Sequence, residues 1–160
     1  MSNGGFMSYE LVCQLSNRIA AIGSVTGSMT PQTFEACTPQ NPVSILQIHG
    51  LRDFVVPYLG NTIMTPIPEV MDYWARENGC DPDPTSNSIA DNTGDDFGGT
   101  RRRYDQCDNG VSVELVLLNA MAHEWPIAND IYISHDIDAA SYIWEFLSQY
   151  RLNTRRGEPD

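Results

Sequence analysis

Three side chains of this sequence have the chemistry of a nucleophile, an acid and a base, and they follow one another in that order. Ser2 stands in the opening MSNGG, Asp53 in the stretch HGLRDFVVPY, and His123 in the stretch AMAHEWP. A serine hydroxyl is a weak nucleophile until an imidazole removes its proton. The imidazole in turn needs a carboxylate to fix its tautomer and stabilise its cation. The three residues are therefore candidates for nucleophilic catalysis through a covalent intermediate.

Each of these residues also has an ordinary structural interpretation. Ser2 could belong to a loose N-terminal tail, Asp53 to a plain turn, and His123 to a hydrogen-bonded loop. The two other histidines are weaker candidates, since His49 lies at a strand end beside the acid and His135 precedes the last helix, where it could act as a cap or be solvated. The catalytic hypothesis depends on all three residues lying at the ends of neighbouring elements.

Apolar periodicity predicts the elements that would position these residues. The predicted helices cover residues 4–18, 67–78 and 136–150, and the predicted strands cover residues 20–25, 43–49 and 111–118. The apolar stripes of the helices are Met7, Leu11 and Leu15 in the first, Ile67, Val70, Met71 and Trp74 in the second, and an inward face of Ile137, Ala140, Trp144 and Leu147 in the last. Alternation of helix and strand predicts an α/β fold over residues 1–152, with a mainly parallel sheet flanked by helices.

Function in an open α/β sheet lies beyond the carboxyl ends of the strands. Asp53 and His123 follow predicted strands, and Ser2 stands at the mouth of the first helix, whose Asn3 backbone N–H would point at a developing oxyanion. Three strands are few for such a sheet, so the architecture looks incomplete on its N-terminal side. The exposed sheet edge that this predicts would favour a homodimer.

Residues 80–110 are rich in Pro, Asp, Asn and Gly and are predicted to form a long loop or lid, while residues 153–160 form a polar tail. Cys80 and Cys107 bracket that loop, and a bridge between them would constrain the unfolded chain by roughly 3 kcal/mol. The four cysteines are compatible with two disulfides or with buried thiols. They lack CxxC spacing and a nearby His pair, so no metal site is predicted.

The formal net charge of −12 makes nucleic acid an unfavourable partner, because an acidic surface repels phosphate. The short cluster Arg101-Arg102-Arg103 is interpreted as a solvated face. No apolar run reaches the length of a membrane span, and the sequence does not open with the pattern of a signal peptide. An apolar share of 41% is typical of a globular domain.

In combination, four segments resemble the C-terminal half of the esterase/poly(3-hydroxybutyrate) depolymerase family, which includes feruloyl and acetylxylan esterases and has the α/β-hydrolase fold. They are MSNGGFMSYELVCQLSNRIAAIGSVTG, PVSILQIHGLRDFVVPY, AHEWP and IWEF. The chain order Ser, Asp, His is also that of α/β-hydrolases. The resemblance implies a serine carboxylester hydrolase that needs no cofactor and acts on polyester or on acyl and feruloyl esters of polysaccharide.

Carried over by position, the resemblance makes Ser2 the nucleophile, Asp53 the acid and His123 the base. It places Tyr58 and Trp125 near the substrate, favours a Cys80–Cys107 disulfide, leaves a Cys13–Cys37 pair open, and implies a secreted protein. The first glycine and preceding strand of the family's elbow are missing, as is its upstream His-Gly motif. Met1 stands where the residue before the serine stands in the family, so an N-terminally truncated esterase is expected.

Three other hypotheses remain. The first is a fragment that keeps the triad residues but lacks the upstream oxyanion donor, and is weak or inactive. The second is a calcium-binding module at Asp91, Asp95 and Asp96, whose spacing does not match a twelve-residue EF-hand loop. The third is a hydrolase activated by the amine of an N-terminal Ser2, which needs more assumptions than the triad.

Overall fold

A mixed sheet forms the centre of the computed structural model, which describes residues 1–92, 94, 96, 98–128 and 135–152. The helices are α1 (Asn3–Leu15), α2 (Pro31–Ala36), α3 (Ile67–Glu77) and α4 (Ala139–Leu147). The strands are β1 (Ala21–Val25), β2 (Ser44–Gly50), β3 (Thr85–Ile89), β4 (Gly99–Tyr104) and β5 (Val113–Leu118). Within these residues the sheet has five strands in the order β1-β2-β5-β4-β3. Residues 153–160, the predicted tail, lie outside the described residues.

The α/β class predicted from the sequence is confirmed, but the sheet is less parallel than predicted. The three predicted strands are present as β1, β2 and β5, which pair in parallel. β4 pairs antiparallel with β5, and β3 pairs antiparallel with β4. Two of the four strand pairs are therefore antiparallel, and both of them involve the segment predicted to be a loop.

That segment, residues 80–110, contains the hairpin β3–β4 instead of a continuous loop. The side chains of β3, TSNSI, are exposed along nearly the whole strand, so no apolar alternation marks it. In β4, Arg101 and Arg103 approach the buried Glu114 of β5 at 2.7 and 3.3 Å. The interpretation of all three arginines as a solvated face was thus wrong for two of them, because alternation along a strand turns Arg101 and Arg103 to one side.

Helices cover both faces of the sheet, which buries the parallel strands as their apolar sequences require. On one face, α1 and α3 pack in a cluster that includes Tyr9, Val12, Val70 and Trp74. On the other face, α4 packs with Phe146 against residues of β1, β2 and β5. The stripe predicted for α3 is confirmed, since all four of its members are buried.

The predicted inward faces of the first and last helices were wrong in part. In α1 the buried residues are Gly5, Tyr9 and Val12, whereas Met7 and Leu11 are exposed. Both sides of this helix carry apolar residues, so periodicity alone could not choose between them. In α4, Ala139 and Phe146 are buried while Trp144 is 71% exposed.

Two disulfides join the loops to this framework. Cys80–Cys107, the pair that the resemblance favours, closes the segment that holds the β3–β4 hairpin. Cys13–Cys37 ties α1 to the end of α2. Among the described residues, no helix is both long and apolar enough to span a bilayer.

Candidate active site

The strand order brings the three candidate residues to one end of the sheet. β1, β2 and β5 are parallel neighbours, so their carboxyl ends meet at the same edge. Asp53 lies in the loop after β2, and His123 lies in the loop after β5. Ser2 joins them because its backbone N–H donates to the carbonyl of Val25, the last residue of β1, at 2.9 Å.

Asp53 and His123 form a hydrogen-bonded pair in which the carboxylate is buried and the imidazole is partly exposed. His123 Nδ1 lies 2.9 Å from Asp53 Oδ2. The other carboxylate oxygen, Oδ1, accepts hydrogen bonds from the backbone N–H groups of Val55 and Val56 at 2.9 and 2.8 Å. Asp53 is only 2% exposed. Because both oxygens are engaged, the carboxylate has one orientation, and it holds the imidazole with Nε2 free to accept a proton.

A glycine at the end of β2 allows the acid and base loops to touch. A Cβ added to Gly50 would overlap the Met121 carbonyl. The same carbonyl accepts a hydrogen bond from Arg52 N–H at 3.0 Å. Only a residue without a side chain permits this approach, which sets the spacing between Asp53 and His123.

Ser2 has a backbone conformation that is rare for a residue with a side chain. Its φ and ψ are 50° and −124°, immediately before the first residue of α1. A positive φ at a residue other than glycine costs on the order of 1–3 kcal/mol and persists only where the surroundings enforce it. Here the N-terminal turn of α1 packs against the loop after β1, where a Cβ on Gly5 would lie 2.8 Å from Gly27 Cα.

The oxyanion candidate is the first amide of α1. The amide nitrogens of Gly4 and Gly5 donate to Met1 and Ser2 carbonyls, whereas Asn3 N–H has no acceptor within the described part of the chain. It lies at the positive end of the helix, next to Ser2. Over the same residues, no hydrogen bond joins the Ser2 hydroxyl to His123. The structure therefore assembles an Asp–His pair and places a strained serine at the same edge of the sheet.

The two predicted substrate contacts lie in the segments that follow β2 and β5, which also hold Asp53 and His123. Tyr58 is half-buried in the loop after β2, with its ring 6.2 Å from that of His49 between centroids, and burial raises the pKa of its hydroxyl. Trp125 follows His123 and is 36% exposed.

The part of the chain that the structure describes holds no cluster of three metal-ligating side chains. Asp95, one of the three residues of the calcium hypothesis, lies outside the described residues. Asp91, another of them, accepts hydrogen bonds from the backbone N–H groups of Gly94 and Asp96.

Sequence reasoning undervalued His49. Its side chain is fully buried beneath the acid loop, and Nε2 lies 2.9 Å from the Val56 carbonyl oxygen and 3.8 Å from Asp53 Oδ2. Burial lowers the pKa of His49, so its imidazole is neutral. The available signal was the pair Gln47 and His49, two polar residues on one face of an otherwise apolar strand. The third histidine, His135, does not cap the last helix through its side chain: Nε2 lies 3.3 Å from Glu124 Oε1.

Comparison with known proteins finds relatives of one chemical class. The chain is 29% identical over 133 residues to feruloyl esterase B of Piromyces equi, a match covering 76% of this chain and 23% of that protein. It is 26% identical over 152 residues to the bifunctional acetylxylan esterase/xylanase XynS20E of Neocallimastix patriciarum, covering 95% and 20%. It is 28% identical over 153 residues to feruloyl esterase D of Neurospora crassa, covering 93% and 46%.

No family model matches the sequence. The chain spans between a fifth and about half of the length of these relatives. Their names agree on ester hydrolysis and differ on the acyl group. The chain is a distant homologue of feruloyl and acetylxylan esterases.

Proposed function

We propose that this chain is a serine carboxylester hydrolase, or the catalytic C-terminal part of one, with the α/β-hydrolase fold. The observation that carries this proposal is the strained Ser2 at the head of α1, at the same sheet end as the hydrogen-bonded pair of Asp53 and His123. Strained serines at strand-to-helix turns present their hydroxyl to solvent, as a nucleophile requires. The distant homology to esterases supports the same chemistry.

In the proposed mechanism, His123 Nε2 removes the Ser2 proton as Ser2 Oγ attacks the ester carbonyl carbon. The carbonyl double bond opens to an oxyanion, which the Asn3 N–H and the N-terminus of α1 stabilise. The tetrahedral intermediate then expels the alcohol, which takes the proton from His123. Water, deprotonated by the same imidazole, releases the carboxylic acid and restores Ser2. Asp53 stabilises the imidazolium in both halves of the reaction.

The proposed substrates are acyl or feruloyl esters of polysaccharide, with polyhydroxyalkanoate as the other ester class. Tyr58 and Trp125 are the proposed substrate contacts, because they share the segments after β2 and β5 with Asp53 and His123. An extracellular location is proposed with these substrates, and the two disulfides favour it because such bonds persist in oxidising compartments.

The second candidate function is a weak or inactive hydrolase. It is favoured because Asn3 N–H is the one oxyanion donor assigned among the described residues, and loss of one such donor costs about 10²- to 10³-fold in kcat. A residual rate of that size would still exceed a variant without the nucleophile. A weak hydrolase therefore differs from the first candidate in rate and not in mechanism, whereas an inactive chain would show no more activity than Ser2→Ala.

The test is hydrolysis of a short-chain p-nitrophenyl ester by the purified chain, with Ser2→Ala as the control. Activity that falls by about 10⁴-fold or more in Ser2→Ala is the expected result, because the proposed acyl-enzyme forms on Ser2 Oγ. Methyl ferulate and an acetylated xylan then separate the two acyl preferences. The oligomeric state of the same sample tests the proposed homodimer through the sheet edge at β1, which is the end strand of the described sheet. Equal rates for the folded wild type and Ser2→Ala would exclude the proposed mechanism.

A further inference from the structure

A buried chain of hydrogen bonds runs from the helix that follows Ser2 to the loop that holds Asp53. Tyr9 OH in α1 donates to Gln47 Oε1 at 2.9 Å. Gln47 Nε2 lies 3.0 Å from His49 Nδ1, and His49 Nε2 lies 2.9 Å from the Val56 carbonyl oxygen. Tyr9, Gln47 and His49 are all fully buried, so water does not compete for these bonds.

The direction of each bond in this chain is determined by its neighbours. Gln47 Nε2 also lies 3.0 Å from the carbonyl oxygen of Gly27 and 3.3 Å from that of Ile48, and a carbonyl oxygen can only accept a hydrogen bond. The amide nitrogen must therefore face Gly27, and it donates to His49 Nδ1. His49, which burial keeps neutral, consequently carries its one proton on Nε2 and donates it to Val56.

This donation acts on the loop that shapes the Asp53 carboxylate. The N–H of Val56 donates to Asp53 Oδ1, and its carbonyl accepts from His49, so the residue is fixed on both sides. His49 Nε2 also lies 3.8 Å from Asp53 Oδ2, the oxygen that is hydrogen-bonded to His123. A neutral imidazole in this place orients the carboxylate without neutralising the charge that His123 needs.

We propose that His49 is a positioning residue for Asp53, and that Tyr9 and Gln47 connect it to the helix that begins beside Ser2. The chain of bonds ties the nucleophile helix and the acid loop into one buried unit. The catalytic consequence of this proposal rests on the proposed esterase function, whereas its effect on the Asp53–His123 hydrogen bond does not.

The test compares His49→Leu with His49→Gln. Leucine removes the donor to Val56, and we expect kcat to fall by about 10²-fold with KM within about twofold, because small displacements of a catalytic group have effects of that size. Glutamine retains a donor that can reach Val56, so kcat of His49→Gln should be at least tenfold higher than kcat of His49→Leu. The low-field proton NMR resonance of the His123 Nδ1–H should move or vanish in His49→Leu and return in His49→Gln.

Asn78→Leu is the matched control, since Asn78 is equally buried and bonds both backbone groups of Val43 at the opposite end of β2. It should lose stability while keeping kcat and the His123 resonance. Tyr9→Phe keeps the ring and removes only the hydroxyl, so it decides the question if His49→Leu does not fold; we expect about a threefold fall in kcat and a shifted resonance.

A folded His49→Leu, or Tyr9→Phe in its place, with wild-type kcat and an unchanged resonance would overturn the positioning role. A wild type that shows the resonance but does not hydrolyse esters would instead refute the proposed function. In that case the resonance of the same variants still decides the role of His49.

Discussion

Asp53 and Ser2 lie at the same end of the sheet and are held there in different ways. The carboxylate of Asp53 is buried and receives hydrogen bonds from two backbone amides and one imidazole. Ser2 is half-exposed and is fixed through its backbone, by the bond to Val25 and the close packing of Gly5 on Gly27. The acid is thus positioned by side-chain contacts in the interior, and the nucleophile by the path of the main chain.

Asp53→Asn should produce the largest change in activity, since it alters the acid, whose position and effect depend on hydrogen bonds. An amide in this place can present its N–H to His123 Nδ1, which favours the tautomer with the proton on Nε2, so the base cannot accept the Ser2 proton. We expect kcat to fall by about 10⁴-fold with little loss of stability. Steady-state kinetics and thermal unfolding of the same preparation check both parts. A fall of less than tenfold would show that Asp53 is not the acid.

Gly50→Ala should separate the two loops that Asp53 and His123 occupy. The added methyl would overlap the Met121 carbonyl, so we expect a loss of roughly 1–3 kcal/mol in unfolding free energy and a loss of activity. Gly4→Ala is the matched control, because nothing lies within 4 Å of its Cβ position. In a helix this change should stabilise by up to about 1 kcal/mol. Similar effects of the two substitutions in denaturant unfolding would contradict the close contact.

The free energy of unfolding should depend on pH because of His49, which lies beneath the loop that holds Asp53. Burial, the largest cause, lowers its pKa in the folded protein from the ordinary 6.5, against the opposing effects of the Val56 bond and of Asp53. The unfolded chain therefore binds a proton first as pH falls below about 6.5, and the contribution of neutral His49 to stability is present above that pH and lost below it. His49→Gln should show a shallower slope of unfolding free energy between pH 7 and 5. Equal slopes would mean that His49 titrates alike in both states.

Ser2→Gly should have the smallest effect on stability, in the opposite direction to its effect on activity. Glycine tolerates the observed φ of 50°, so we expect a gain of about 1 kcal/mol together with loss of hydrolysis. Ser2→Ala loses the hydroxyl but keeps the Cβ, and should not show the gain. Comparison of the two unfolding midpoints measures the strain at the nucleophile. A Ser2→Gly protein no more stable than Ser2→Ala would mean that this turn is not strained.

Features that depend on the apolar pattern or on the order of residues along the chain could be predicted from the sequence. The strands β1, β2 and β5 and the buried face of α3 were predictable because their apolar residues all pack into the core. The meeting of Asp53 and His123 follows from the parallel order of two of those strands. Ser2 could be proposed from its motif, but its strained backbone could not, because φ depends on the packing of Gly5 against a distant loop.

The failures have a common physical cause. β3 carries polar residues on both sides, so its pairing leaves no trace in the hydrophobic pattern. In α1, Met7 and Leu11 were as plausible a core face as Tyr9 and Val12, and the buried Tyr9 has its hydrogen-bond partner, Gln47, far away in the sequence. His49 was undervalued for the same reason, since its function is defined by partners that are distant in sequence.

Glu114 has a consequence for how β4 aligns with β5. A strand with polar residues on both sides can slip along its neighbour, because no apolar face fixes its register. Here Glu114 lies opposite Arg103, bonds Arg101 and Arg103, and accepts a hydrogen bond from Tyr142 at 2.5 Å. A slip of one residue would turn both arginines to the other face and leave a buried carboxylate without its cations. Charge thus sets the alignment of this hairpin, a task that hydrophobic residues perform elsewhere in the sheet.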